Sequence, residues 1–171
     1  FLGPDRVPVV QKMLLNAQEA TRWSRENHSE TRNRTLNGDI PNEIRDFFDA
    51  LNYLKELQIQ DFTGILRVMD YRPVIVRLLD APLHEFLPNP DNLARDIMSL
   101  KEQKAPQGQI EERQESLRLV ESMRETNPML GHRGCSVGIT FPAIYEMQVE
   151  ALITAAAHLI KEGIEVRPEI M

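Results

Sequence analysis

One cysteine is all this chain contains, so no intrachain disulfide can form. That fits a reducing compartment and sets the expectation of a cytoplasmic protein. Long apolar runs are missing as well. No stretch approaches the ~18 consecutive apolar residues that a membrane span requires, so no membrane partner is expected. Concentrated basic charge is also absent. The net charge is −6, and the Arg-containing stretch from Arg22 to Arg34 is interleaved with Glu26 and Glu30. Such a stretch reads as a solvated face and gives no footprint for nucleic acid. The opening FLGPDRVP lacks the charged start and apolar stretch of a secretory signal, and it lacks an initiator Met. A trimmed or processed end is the expectation there. Asn27-His28-Ser29 and Asn33-Arg34-Thr35 match the glycosylation acceptor pattern, which in a cytosolic chain is a chance match.

What is present suffices for one domain. The chain has 171 residues, 42% of them hydrophobic and 27% charged, enough to bury a core. Val9, Val10, Met13, Leu14 and Ala17 share one face of a helix predicted from about Pro4 to Gln18. A strongly polar stretch at about 18–42 follows and contains the turn signal Asn37-Gly38-Asp39 with Pro41. It reads as an insertion or mobile excursion, with Trp23 its only residue of the Phe, Tyr or Trp type. From Asn42 to Asp70 two apolar stripes predict helix, with a possible break at Gln58 to Asp61. Val74 to Leu79, bounded by Pro73, reads as a strand buried on both faces.

Asp91 is positioned to cap a short helix bearing Leu93, Ile97 and Leu100, which Ala105-Pro106-Gln107-Gly108 ends. Ile110, Leu117, Val120 and Met123 mark a further helix. Pro142 opens another, running to about Lys161 with Gly163 as its stop, and Ile164 to Met171 begins a second strand. Helices feeding apolar strands predict a helix-rich α/β architecture with about two parallel strands. Met13, Met69 and Met147 lie on the helix stripes and read as core.

Arg77 stands out inside its apolar strand. An arginine there is costly unless paired or open to solvent. Its planar fork suits bidentate contact with a carboxylate or phosphate, and an internal ion pair with Asp80 or Glu85 is the equal alternative. Between Gly131 and Gly134, Arg133 is placed to reach an anion; bonding to loop carbonyls or to Asp80 is its alternative. His84 and Glu85 have no further ligands at metal-binding spacing, so no metal site is expected.

Two strings, RLLDAPLHEFLP from Arg77 to Pro88 and NPMLGHRGC from Asn127 to Cys135, resemble the phosphoenolpyruvate-binding barrel of the pyruvate phosphate dikinase family. The HEFLP ending separates this resemblance from related synthases, which carry a Gly/Asp-rich turn after the corresponding arginine. The resemblance implies an incomplete (β/α) TIM-barrel segment over residues 1–171, with phosphoenolpyruvate or pyruvate as ligand. It implies Arg77 as the arginine that contacts the substrate phosphoryl group, Asp80 as the acidic residue supporting it, and Arg133 as a second anion contact. Ala81 replaces the usual Pro, and Ser136 replaces the usual Arg. By the same resemblance His132 is structural rather than phosphorylated, and Cys135 is a small packing residue rather than the family's proton donor.

The intact family enzyme interconverts ATP, phosphate and pyruvate with AMP, pyrophosphate and phosphoenolpyruvate, and it uses Mg2+. The residues expected to hold the metal, and the family's catalytic cysteine, match no position here. No catalytic residue is therefore assigned, and no turnover is expected of this chain alone. Two strands cannot close a barrel, so exposed strand edges and self-association into a homo-oligomer are expected. A non-catalytic, self-associating interaction module is the alternative function.

Overall fold

The computed structural model describes residues 3–26, 40–80, 86–123 and 133–171. Expectations for Ala81, His84, Glu85, Gly131, His132 and most of the polar insertion lie outside these residues. Six helices and two strands are found among the described residues. They are α1 (Val7–Glu26), α2 (Asn42–Met69), β1 (Pro73–Val76), α3 (Pro90–Glu102), α4 (Gln107–Met123), α5 (Cys135–Thr140), α6 (Pro142–Lys161) and β2 (Arg167–Ile170).

The helix α1 runs well past Gln18. Ala17, Ala20 and Thr21 continue its buried stripe, and Trp23 packs partly against the same core. Residues 18–26 of the expected excursion are therefore helical: their small side chains sit against the core while the charged ones face water. The helix α2 shows no break at Gln58 to Asp61. Leu51, Leu54, Gln58 and Leu66 keep the buried stripe in phase through that stretch. Gln58 is buried, and its Oε1 has no hydrogen-bond partner. Such an orphan costs about 1–3 kcal/mol, which the surrounding apolar burial outweighs.

Asn89, not Asp91, caps α3. Its side-chain oxygen accepts from the Asp91 amide at 2.8 Å. Pro90 at the first helical position forces the residue before it into extended backbone, as an N-cap requires. At the far end of α6, Gly163 adopts a φ of +84°, the left-handed turn that stops the helix.

Two helix–strand units are arranged alike. The helix α2 leads into β1 and α6 leads into β2; α2 packs on α6, and β1 pairs with β2 in parallel. The register sets Val74 beside Pro168 and Ile75 beside Glu169. The Val76 carbonyl accepts from the Met171 amide, and the Met171 carbonyl accepts from the Leu78 amide, so pairing continues past the strand ends.

One apolar cluster gathers Val10, Met13, Phe47, Leu54, Ile144 and Met147 from α1, α2 and α6. A second joins Leu66, Leu152, Ala155 and Leu159 to Val74 and Val76 of β1 and to Ile164 and Val166 just before β2. The expectation of a strand buried on both faces is corrected here. Val74 and Val76 are partly covered, whereas Ile75 is 63% exposed. Only the face over α2 and α6 is covered, so the alternation of the pleat governs burial. Among the described residues no helix is long and apolar enough to cross a membrane.

Candidate functional site

The end of β1 and the start of α5 come together through one carboxylate. Asp80 lies three residues after Arg77 in the chain and 53 before Arg133. Its Oδ2 accepts from Arg133 Nη2 at 2.8 Å, and its Oδ1 accepts from Arg133 Nε at 3.3 Å. Arg77 Nη2 also donates to Asp80 Oδ2. Arg133 therefore presents its fork side-on, the geometry that suits a guanidinium and a carboxylate. Arg77 makes a one-point contact, and its side chain is 63% exposed against 30% for that of Arg133.

The electrostatics follow from this geometry. Hydrogen bonding from Arg133, then the nearby positive charges of Arg133 and Arg77, hold the Asp80 carboxyl below its ordinary range despite an opposing desolvation. Two guanidiniums share one carboxylate, so the trio keeps a net positive charge at neutral pH. An anion is the ligand such a cluster favours.

Backbone geometry gives the cluster its shape. Gly134 has a φ of +55°, and a Cβ built there would lie 3.0 Å from Asp80 Oδ1. The position therefore needs glycine on two counts, the left-handed backbone and the close approach of the carboxylate. Ser136 Oγ accepts from the Arg133 amide at 3.1 Å and donates to the Arg133 carbonyl at 2.8 Å. The residue that departs from the family string thus closes the turn holding Arg133.

From α6, Tyr145 Oη lies 2.6 Å from the Leu79 carbonyl oxygen and 3.0 Å from that of Gly134. Gln148 Oε1 accepts from the Leu79 amide at 3.0 Å. Neither residue stood out in the sequence. The available signal was Gln148 itself, a polar residue on the stripe of Ile144, Ala151 and Ala155.

Of the expected site residues, Arg77, Asp80 and Arg133 are brought together, and the internal ion pairing weighed for both arginines is the arrangement seen. Cys135 corrects an expectation. It is exposed rather than packed, because it opens the short helix α5 on its solvent side.

Magnesium does not fit the residues described. No group of three or more His, Cys, Asp or Glu side chains that could hold a metal occurs among them. Both oxygens of Asp80 already accept from guanidiniums.

An open cavity of about 1320 Å3 lies elsewhere, against α1, α2 and α4. Arg22, Arg25 and Arg113 face Glu19, Glu26 and Asp46 around it. With both signs interspersed, it selects no class of ligand.

Comparison with known proteins identifies a family for this chain. The family profile described as PEP-utilising enzyme, PEP-binding domain matches residues 12–171. A pyruvate, phosphate dikinase of Entamoeba histolytica is 41% identical over 171 residues, all of this chain and 16% of the relative. The Treponema pallidum protein of the same name is 44% identical over 122 residues, 71% of this chain and 13% of the relative. Pyruvate, phosphate dikinase 1, chloroplastic, of Arabidopsis thaliana is 36% identical over the whole chain, which covers 14% of that protein. The chain thus spans between 13% and 16% of the length of these relatives. With the profile covering nearly all of its residues, the chain belongs to the PEP-binding domain family of the PEP-utilising enzymes.

Proposed function

We propose that this chain is part of the phosphoenolpyruvate/pyruvate-binding domain of a pyruvate, phosphate dikinase, and that its described anion site is the Arg77–Asp80–Arg133 cluster. The observation that carries the reading is the convergence of Arg77 and Arg133 on Asp80 at the end of β1. Phosphoenolpyruvate carries a phosphoryl group and a carboxylate, and two guanidiniums are suited to binding both. Arg133, held by two hydrogen bonds, is the fixed fork. Arg77, more exposed and held at one point, is the arm that can leave Asp80 for the incoming anion. Asp80 keeps both cations oriented and limits their mutual repulsion while no ligand is bound.

The two helix–strand units fit neighbouring segments of a (β/α) barrel, whose ligands gather at the strand C-terminal ends. A reducing, cytoplasmic setting accords with the single free cysteine. The relatives act as dikinases by name. The described residues of this chain supply anion contacts and no divalent-cation donor set, so the chain alone is expected to bind without turnover.

Isothermal titration of phosphoenolpyruvate into the 171-residue chain, with Arg77→Ala and Arg133→Ala in parallel, tests the reading. Removing one charged hydrogen-bonding partner should weaken binding roughly 10- to 100-fold. Equal, weak binding by wild type and both variants would remove the anion-site reading. A second reading, a self-associating module, draws on the bare sheet face, where Ile75 and Met171 are 63% and 67% exposed. It predicts a concentration-dependent mass with no phosphoenolpyruvate binding.

A further inference from the structure

We propose that Tyr145, supported by Gln148 about one turn later on α6, is the positioning residue that sets the separation of the two arginine-bearing arms. The inference rests on the reading of Arg77, Asp80 and Arg133 as an anion site, and it adds a residue to that site from outside both sequence strings. One hydroxyl holds a peptide group from each arm. Tyr145 Oη is 2.6 Å from the Leu79 carbonyl oxygen, whose residue adjoins Asp80. It is 3.0 Å from the carbonyl oxygen of Gly134, which adjoins Arg133. A phenol carries a single proton, so it donates to these two acceptors in a shared or alternating way.

Gln148 holds the other side of the same residue. Its Oε1 accepts from the Leu79 amide at 3.0 Å, so both backbone polar groups of Leu79 are bonded to α6 side chains. The platform is firm. Ile144 and Met147, which flank Tyr145 and Gln148, are fully buried, and Gln148 is only 4% exposed. Burial first, and then the negative charge of Asp80 nearby, raises the Tyr145 phenol above its ordinary value of 10. The hydroxyl therefore stays protonated, and a donor, at neutral pH. The tight approach of Gly134 to Asp80 leaves the arms little room to find another spacing.

Tyr145→Phe removes the hydroxyl and keeps the ring. Three readouts on the 171-residue chain test the proposal: the titration midpoint of the Asp80 carboxyl by carbon NMR, phosphoenolpyruvate affinity, and thermal unfolding. With the arms released, Arg133 should bond Asp80 less well. The Asp80 midpoint should then rise toward the usual carboxylate value, and affinity should fall roughly 3- to 10-fold. A merely structural tyrosine would lower the unfolding temperature and leave the Asp80 midpoint and the affinity unchanged, and that result overturns the proposal.

Gln148→Met, similar in volume but without the acceptor, is the companion variant. It must move the Asp80 midpoint in the same direction, and it reads the same arm should Tyr145→Phe fail to fold. The two ideas can fail separately. A shifted Asp80 midpoint in a chain that binds no phosphoenolpyruvate upholds the positioning role and removes the anion-site reading. An unshifted midpoint with intact, arginine-dependent binding does the reverse.

Discussion

The facing surfaces of α2 and α6 and the two-stranded sheet beside them contain similar apolar residues and treat them in opposite ways. On α6, Leu152, Ala155 and Leu159 are fully buried. On β1, Ile75 is 63% exposed. The helices have a partner around their apolar stripe, whereas the sheet has one on a single face. Burial is thus decided by which face is covered, and an apolar run in the sequence records only that both faces would tolerate cover. The Arg77–Asp80–Arg133 cluster lies at the border of these regions, where β1 leaves the ladder and its next residues turn toward α6.

The largest break in this comparison should come from the helices. Leu152→Ala removes a fully buried side chain at the α2–α6 contact, and should cost about 2–5 kcal/mol of stability in urea denaturation. A loss under 1 kcal/mol would mean that this interface is no tighter than the sheet surface.

A smaller effect separates the charged border from the core. Arg6 bonding holds Asp61 below its ordinary pKa, as Arg133 and Arg77 hold Asp80. A carboxyl lowered in the folded state contributes stability above its unfolded value and loses it as pH falls through the folded one. The urea midpoint should therefore show no loss from these two groups between pH 7 and 5, and a loss beginning below about pH 4. Asp80→Asn should remove the Asp80 part of that acid loss. A decline from these groups that starts near pH 6 would contradict the assignment.

The smallest effect belongs to the bare face. Ile75→Thr keeps the β-branch and should change stability by less than about 0.5 kcal/mol. Sedimentation at rising concentration gives the companion measurement: association that disappears in Ile75→Thr would assign the self-contact to this face.

Much of the helical framework could be read from periodicity. The buried positions of α6 and of the first half of α2 are the ones their stripes name. Of Phe62, Ile65, Leu66 and Met69 in the second half of α2 only Leu66 is buried, Ile65 being exposed and Met69 only partly covered rather than core. Misreadings arose where local signals competed with packing. Gln58 to Asp61 look like a break by polarity, yet the helix continues because the positions around them stay in phase. Asp91 was favoured as a cap by type, but Pro90 at the first helical position fixes the cap at Asn89, two residues before Asp91. For the site, both arginines and Asp80 were visible through two short strings. Asp80 could be weighed as partner of each arginine but not fixed as the partner of both, since a separation of 53 residues leaves no periodic trace. Tyr145 and Gln148 were missed for the same reason, as their role lies in contacts with backbone atoms of distant residues.

The clamp on Leu79 has a bearing on strand alignment. A two-stranded ladder with one bare face, and with Pro73 and Pro168 each lacking an amide, has weak means of resisting a slip by one residue. Such a slip would exchange Val74 and Val76 with Ile75 and Arg77 across the pleat. Leu79 sits beyond the last strand residue, and both of its peptide groups are taken by side chains from another element. It acts as an anchor stitch at the end of a short seam, and the alignment of β1 is fixed by a helix that is not part of the ladder.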